Sequence, residues 1–261
     1  MYEHHLRDME SVRELFEQDQ SVEALLFGGS VGHGYALPNS DIDIMIIVSD
    51  EEYRQRVREG RDLYINRDIC TYEGGYVDGK YVSREFMKQV SINGSDPARY
   101  AFYGDIIGFS RKEGLQELID EILTYPEELR QNRINMFYSE AVIWHWYARE
   151  GFRHNNSYLA TTSITKMTLF AARLVLAHNR VFYPYHKWVM EELKRAPLKP
   201  EGIVECIERA LELRTPEPLI ELEEMLTNYE NWKDAPIKWN GRYDRPIEFP
   251  WEDNRERLDY A

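Results

Sequence analysis

The run Phe27-Gly28-Gly29-Ser30-Val31-Gly32-His33-Gly34-Tyr35, followed by Asp41-Ile42-Asp43-Ile44-Met45-Ile46-Ile47-Val48, constrains this chain more than any other feature. One apolar strand, residues 22–27, runs into a glycine-rich turn, and a second strand, residues 42–48, leaves it. Side chains alternate across a strand, so Asp41 and Asp43 point to one face. Two carboxylates fixed on one face suit hard divalent cations, which take oxygen ligands. Gly28 and Gly29 let the backbone approach a bulky anion, and Ser30 stands where a short helix would begin. A cation site beside a polyphosphate site is the equipment of nucleotidyl transfer.

Gly-Gly-Ser, ten residues, then Asp-Ile-Asp resembles the signature of the DNA polymerase beta-type nucleotidyltransferase superfamily. In style it is most similar to the small bacterial antibiotic (aminoglycoside or lincosamide) nucleotidyltransferases. The motif spans residues 28–43; the wider likeness, a catalytic half followed by a helical half, spans nearly the whole chain. The resemblance implies an α+β protein: an N-terminal mixed β-sheet nucleotidyltransferase domain flanked by helices, then a C-terminal helical bundle. It also implies that Asp41 and Asp43 hold two Mg2+ ions and that ATP or another nucleoside triphosphate is the substrate. Gly28, Gly29 and Ser30 would then grip the departing pyrophosphate. His33 lies inside the glycine loop, close to the triphosphate if that assignment holds. Ser40 precedes Asp41 and is read as fixing the loop through backbone bonds.

The resemblance calls for a third carboxylate on a neighbouring strand. Asp78, an acid interrupting the apolar strand of residues 76–82, is the first choice. Asp78-Gly79 is also a strong hairpin-turn signal, which is the competing reading. Asp68, Glu73 and Asp105 are further candidates.

The helical half supplies three more positions. Glu140, Trp144 and Tyr147 share a helical stripe beside the apolar stripe of Ile134, Phe137, Ala141 and Ala148. Glu140 is therefore a candidate acceptor contact or general base, against the plainer reading of an exposed glutamate beside packed aromatics. By resemblance, Lys166 would be a phosphate-binding lysine of the second domain; a surface lysine is the alternative. Lys187 and Tyr185 sit in a cluster of cations and aromatics around Pro184 that can stack on a base, or simply form a helix junction.

A net charge of −14 argues against a general affinity for nucleic acid, which needs clustered Lys and Arg; it suits a cationic acceptor and equally suits mere solubility. Cys70 and Cys206 lie far apart and indicate neither a disulfide framework nor a zinc site. No uninterrupted apolar run approaches a membrane span, and Met1-Tyr2-Glu3-His4-His5 lacks the character of a secretory signal, so the expectation is a cytoplasmic protein. A homodimer is compatible with the sequence.

Hydrophobic periodicity predicts a helix over 6–18 with Leu6, Met9, Val12, Leu15 and Phe16 inward, and a helix from Ser49 to a stop at Gly60. It further predicts a hairpin of strands near 68–72 and 76–82, a helix capped by Ser83, and a strand over 106–109. From Leu115 the pattern turns helical, with breaks at Pro126, Gly151, Pro184, Pro197, Pro200 and Pro216. The expected domains are 1–125 and 126–261, with an extended tail after Trp232. The leading expectation is transfer of a nucleoside monophosphate, AMP from ATP, to a hydroxyl of a small molecule, an antibiotic included. The competing one is a regulatory or antitoxin protein of the same fold that modifies or binds a partner protein. Arg173 and His178 superficially match a toxin motif of such partners, yet five helical steps set them about 140° apart.

Overall fold

In a computed structural model the chain divides into two compact units, Met1–Thr124 and Tyr125–Ala261. The structure describes residues 1–229, Trp232 and Ala235. The tail expected after Trp232, with prolines at 236, 246 and 250, otherwise lies outside the described residues.

The first unit runs α1 (Glu3–Gln18), β1 (Val22–Phe27), α2 (Gly29–Gly32), β2 (Ile42–Val48), α3 (Asp50–Glu59), β3 (Leu63–Asn66), β4 (Val77–Ser83), α4 (Arg84–Asn93), α5 (Asp96–Tyr100), β5 (Ile106–Ser110) and α6 (Leu115–Leu123). Its five strands form one mixed sheet in the order β3-β4-β2-β1-β5, in which only β2 and β4 are parallel. Ile42, Ile44 and Ile46 of β2 enter a core with Leu25 and Phe27 of β1 and with Met9, Val12 and Phe16 of α1. Each of these apolar side chains contributes about 1.5–3 kcal/mol by leaving water. The opposite face buries Ala24, Leu26 and Ile47 under Met87 and Val90 of α4 and Leu118, Ile119 and Ile122 of α6.

Local chemistry sets the helix ends. The Ser49 hydroxyl accepts from the Glu52 amide at 3.2 Å, and α3 stops at Gly60, whose φ of 63° suits glycine. Ser83 caps α4 in the same way, its hydroxyl accepting from the Phe86 amide at 3.2 Å.

Two local expectations are corrected. Residues 68–72 are not a strand; the partner of β4 is β3, four residues with Leu63 and Ile65 exposed on an outer edge. The side chain of Asn66 instead turns the chain by accepting from the Asp68 amide at 2.9 Å and the Ile69 amide at 3.2 Å. On α1, Leu6 and Leu15 face solvent, while His5 and Asp8 lie inward with Met9, Val12 and Phe16. Asp8 can be buried because its carboxylate accepts from the Thr71 amide at 2.7 Å and the Thr71 hydroxyl at 2.9 Å.

The second unit is helical: α7 (Glu127–Arg153), α8 (Ser157–His178), α9 (Val189–Arg195), α10 (Ile203–Leu213) and α11 (Pro216–Asn228). A three-residue link joins α7 to α8, and the two long helices bury Phe137, Ala141, Phe170 and Val175 between themselves and the shorter ones. Gly151 does not break α7, which continues to Arg153. Its missing side chain has another use, since a Cβ there would lie 2.6 Å from the Ala160 amide nitrogen. By length and composition α8 is able to cross a membrane, alone among the described helices; 72% of that window is buried inside the unit.

Candidate active site

The sheet register assembles the site. Asp43 on β2 stands beside Asp78 on β4, and Ile65 on β3 stands beside Asp78. On the other side, Phe27 pairs with both Ile44 and Ile106, so one step on Gly28 stands between Asp43 and Asp105. The Gly28 amide donates to the Asp43 carbonyl at 3.0 Å. The row Ile65, Asp78, Asp43 across β3, β4 and β2 thus continues to Gly28, just past β1, and Asp105, just before β5. Paired residues share a face, so the three acids lie on the face that α4 and α6 cover only from Met45 onward. Asp41, two residues before Asp43, shares that face, and Asp41, Asp43 and Asp78 are all half-buried.

Tyr76 marks where three of the acids converge. Its interaction with the Asp41 carboxylate, then burial and the charges of Asp78 and Asp43, raises the pKa of its phenol. Asp78 is therefore a strand residue beside the Asp-x-Asp pair, and the hairpin-turn reading of Asp78-Gly79 is overturned. Asp68 and Glu73 are exposed on the loop that precedes β4.

The glycines are needed for space. A Cβ on Gly29, whose φ is +56°, would lie 1.8 Å from Asp43 Oδ2, and one on Gly28 would lie 2.5 Å from Asp105 Oδ1. Gly104 approaches Gly32 backbone to backbone, with a Cβ on Gly104 falling 2.5 Å from the Gly32 carbonyl oxygen, and this close contact seats Asp105 against the turn. Both carboxylate oxygens of Asp105 are shut off from solvent and have no hydrogen-bond partner among the described residues. Burial, and then the charge of Asp43, pushes the Asp105 carboxyl well above the usual carboxylate range.

Ser30 is the second residue of α2, which is a single turn of four residues beginning at Gly29. Its hydroxyl is buried and has no partner among the described residues. His33 turns aside to pack on Tyr100, ring centroids 4.7 Å apart, and on Tyr103. The Ser40 hydroxyl accepts from the Leu37 amide at 2.9 Å, a loop-fixing bond.

A divalent cation and a triphosphate can be tested against these residues. Orphaned oxygens on Ser30 and Asp105, hard carboxylate donors and two glycines with no room for side chains fit such a ligand. Among the described residues no three His, Cys, Asp or Glu side chains are gathered tightly enough to ligate one ion.

The other sequence candidates belong to the helical unit. Glu140 is 4% exposed, so the reading of an exposed glutamate is overturned; its carboxylate accepts from Trp144 Nε1 at 3.2 Å, and Trp144 packs on Tyr147. Lys166 is half-buried on α8. Lys187 is exposed, with its ammonium over the Trp188 ring at 4.9 Å. Two cavities in this unit, about 510 and 290 Å³, include none of these three residues. Arg173 is buried between the rings of Phe137 and Tyr183, whereas His178 packs on Trp232, so the two share no site.

Sequence reasoning missed Tyr76, and it gave Asp105 no weight over its rivals. An aromatic two residues before a candidate acid was the available signal for the first; the second needed the pairing of β1 with β5.

Residues 9–123 match the family of nucleotidyltransferase domains, and residues 104–189 match a domain of unknown function, DUF4037. The first match places the N-terminal unit in the nucleotidyltransferase superfamily. Among solved structures the chain is similar to a nucleotidyltransferase-like protein from Exiguobacterium sibiricum 255-15, at 16% identity and a TM-score of 0.47, over 85% of this chain and 74% of that one. No curated protein matches the chain. The fold supports nucleotidyl transfer in general.

Proposed function

We propose that the protein is a magnesium-dependent nucleotidyltransferase that moves a nucleoside monophosphate, AMP from ATP, to a hydroxyl of a small-molecule acceptor in the cytoplasm. The row Asp78, Asp43, Gly28, with Asp41 on the same face and the unpartnered Ser30 hydroxyl beside it, carries this reading. Gly28 and Gly29 let the chain lie against a triphosphate, and Ser30 would donate to the oxygens of the leaving pyrophosphate. Asp41, Asp43 and Asp78 would hold divalent cations, with Tyr76 fixing the orientation of Asp41. Such cations supply charge neutralisation on the phosphates and a lowered pKa for the acceptor hydroxyl. The acceptor oxygen bonds to the α-phosphorus as the bond to the pyrophosphate oxygen breaks, and the hydroxyl proton passes to solvent. Lys166 and Lys187 are the helical unit's candidate phosphate contacts, and Glu140 its candidate acceptor contact.

A net charge of −14 favours a small, cationic acceptor such as an aminoglycoside over a nucleic acid. The test incubates full-length protein with Mg2+, α-labelled ATP and a panel of hydroxylated small molecules, aminoglycosides and lincosamides among them. Labelled acceptor with matching pyrophosphate supports the proposal. Failure to bind Mg-ATP by calorimetry, or to release pyrophosphate with any nucleoside triphosphate, overturns it. Label appearing only on a co-purified protein supports the regulatory reading instead.

A further inference from the structure

Asp105 is the one acid of the row that the proposed chemistry leaves unused. It stands across Gly28 from Asp43, on the strand flanking β1 on the side away from β2. The two side chains close over adjacent glycines from opposite sides: Asp43 presses on the Cβ position of Gly29, and Asp105 on that of Gly28. A buried carboxyl whose two oxygens both lack partners is costly unless something else satisfies it. No Lys, Arg or His is hydrogen-bonded or ion-paired to it among the described residues. The glycine contact between residues 32 and 104 holds it there, backbone against backbone.

We propose that Asp105 is a further ligand of the site, which together with Asp43 holds a hard divalent cation above the Gly28-Gly29 turn. This position lies on the β5 side of Asp43, across that residue from Asp78. The inference rests on the reading of the row as a cation-dependent site. It explains why two glycines in succession are required: a side chain at either would fill the gap between the carboxylates. It also explains an orphaned acid in a position that the backbone makes no provision to satisfy. Water and phosphate oxygens would complete the ligand shell, as hard cations with few protein ligands require.

The test is Mn2+ binding to the full-length protein without nucleotide, followed by the electron paramagnetic resonance signal of the free ion. Asp105→Asn keeps the shape of the side chain and should weaken Mn2+ binding by at least about tenfold. Asp68→Asn, an exposed acid off the row, should bind as the wild type does. Gly28→Ala retains both acids but pushes a methyl against Asp105 Oδ1, and should reproduce the loss, so the question survives a poorly folding Asp105 variant. Wild-type affinity in Asp105→Asn or in Gly28→Ala, with circular dichroism showing a folded protein, overturns this proposal and leaves the nucleotidyl-transfer reading standing. A wild-type protein that binds no Mn2+ even with ATP present overturns both.

Discussion

Gly29→Ala is the substitution in which the geometry of the turn can be weighed most directly. Gly29 has a φ of +56°, where an L side chain costs about 1–2 kcal/mol. The new Cβ would also meet Asp43, at 1.8 Å from Oδ2, 2.4 Å from Cγ and 2.6 Å from Cβ. Rotating the carboxylate relieves the first two contacts and cannot relieve the third, because the Asp43 Cβ moves only with its backbone. Overpacking of this kind costs about 1–3 kcal/mol, so the total is about 2–5 kcal/mol. Gly34→Ala is the matched control: its φ is +76° and a Cβ there meets nothing within 4 Å, leaving about 1–2 kcal/mol of strain alone. Both variants lose the same unfolded-chain freedom, which cancels in the comparison. Urea unfolding should therefore place Gly29→Ala about 1–3 kcal/mol below Gly34→Ala. Since Asp43 must be displaced by about an ångström, kcat/KM for pyrophosphate release should fall about 100-fold or more in the first variant and little in the second. Equal stability and equal activity in the two would refute the assigned contact between the turn and the acid.

Asp41→Asn and Asp43→Asn should abolish pyrophosphate release while shifting unfolding by less than about 0.5 kcal/mol, because each is half-buried and fills no core; retained turnover in either counts against the site. Asp78→Asn should be nearly as damaging and the exposed Asp68→Asn silent, a contrast that steady-state kinetics reads directly. Asp105→Asn should change the pH dependence of stability. The Asp105 carboxyl keeps its proton in the fold after the unfolded chain has lost it, so its contribution is complete below the ordinary carboxylate range. That contribution then falls as pH rises towards the raised pKa, by about 1.4 kcal/mol per pH unit. Urea midpoints measured from pH 4 upward should thus decline in the wild type relative to Asp105→Asn, and parallel profiles would count against a raised pKa. Gly151→Ala should destabilise the helical unit by about 1–2 kcal/mol despite alanine's better helix propensity, because its Cβ would press on the Ala160 backbone; a gain in melting temperature would refute that packing.

What could be read in the sequence was local. The strands on either side of the glycine turn, the caps at Ser49 and Ser83 and the stop at Gly60 each depend on a few neighbouring residues. Where partners lie far apart in the chain, the reading failed. Leu6 and Leu15 fit an apolar stripe on α1, yet Asp8 takes an inward place because Thr71, sixty-three residues on, supplies two hydrogen bonds. Residues 68–72 carry strand-forming side chains, but the sheet edge was already taken by the four residues of β3. Gly151 looked like a helix break because glycine is a poor helix former, and only the close approach of Ala160 shows its use.

The same division holds within the site. Asp41 and Asp43 were legible from a spacing of two; Asp78 was legible once a strand was assumed; the place of Asp105 depends on β1 pairing with a strand nearly eighty residues later. The glycine pair shows what that pairing adds. In the sequence, Gly28 and Gly29 read as room for a phosphate. In the structure, the nearest atoms to the missing side chains belong to the protein's own carboxylates, Asp105 at the first glycine and Asp43 at the second. Burial first, and then the charge of Asp43, raises the Asp105 carboxyl, whose two oxygens have no hydrogen-bond partner among the described residues. Under the proposed chemistry, the two cleared positions leave the gap between these carboxylates open to a divalent cation.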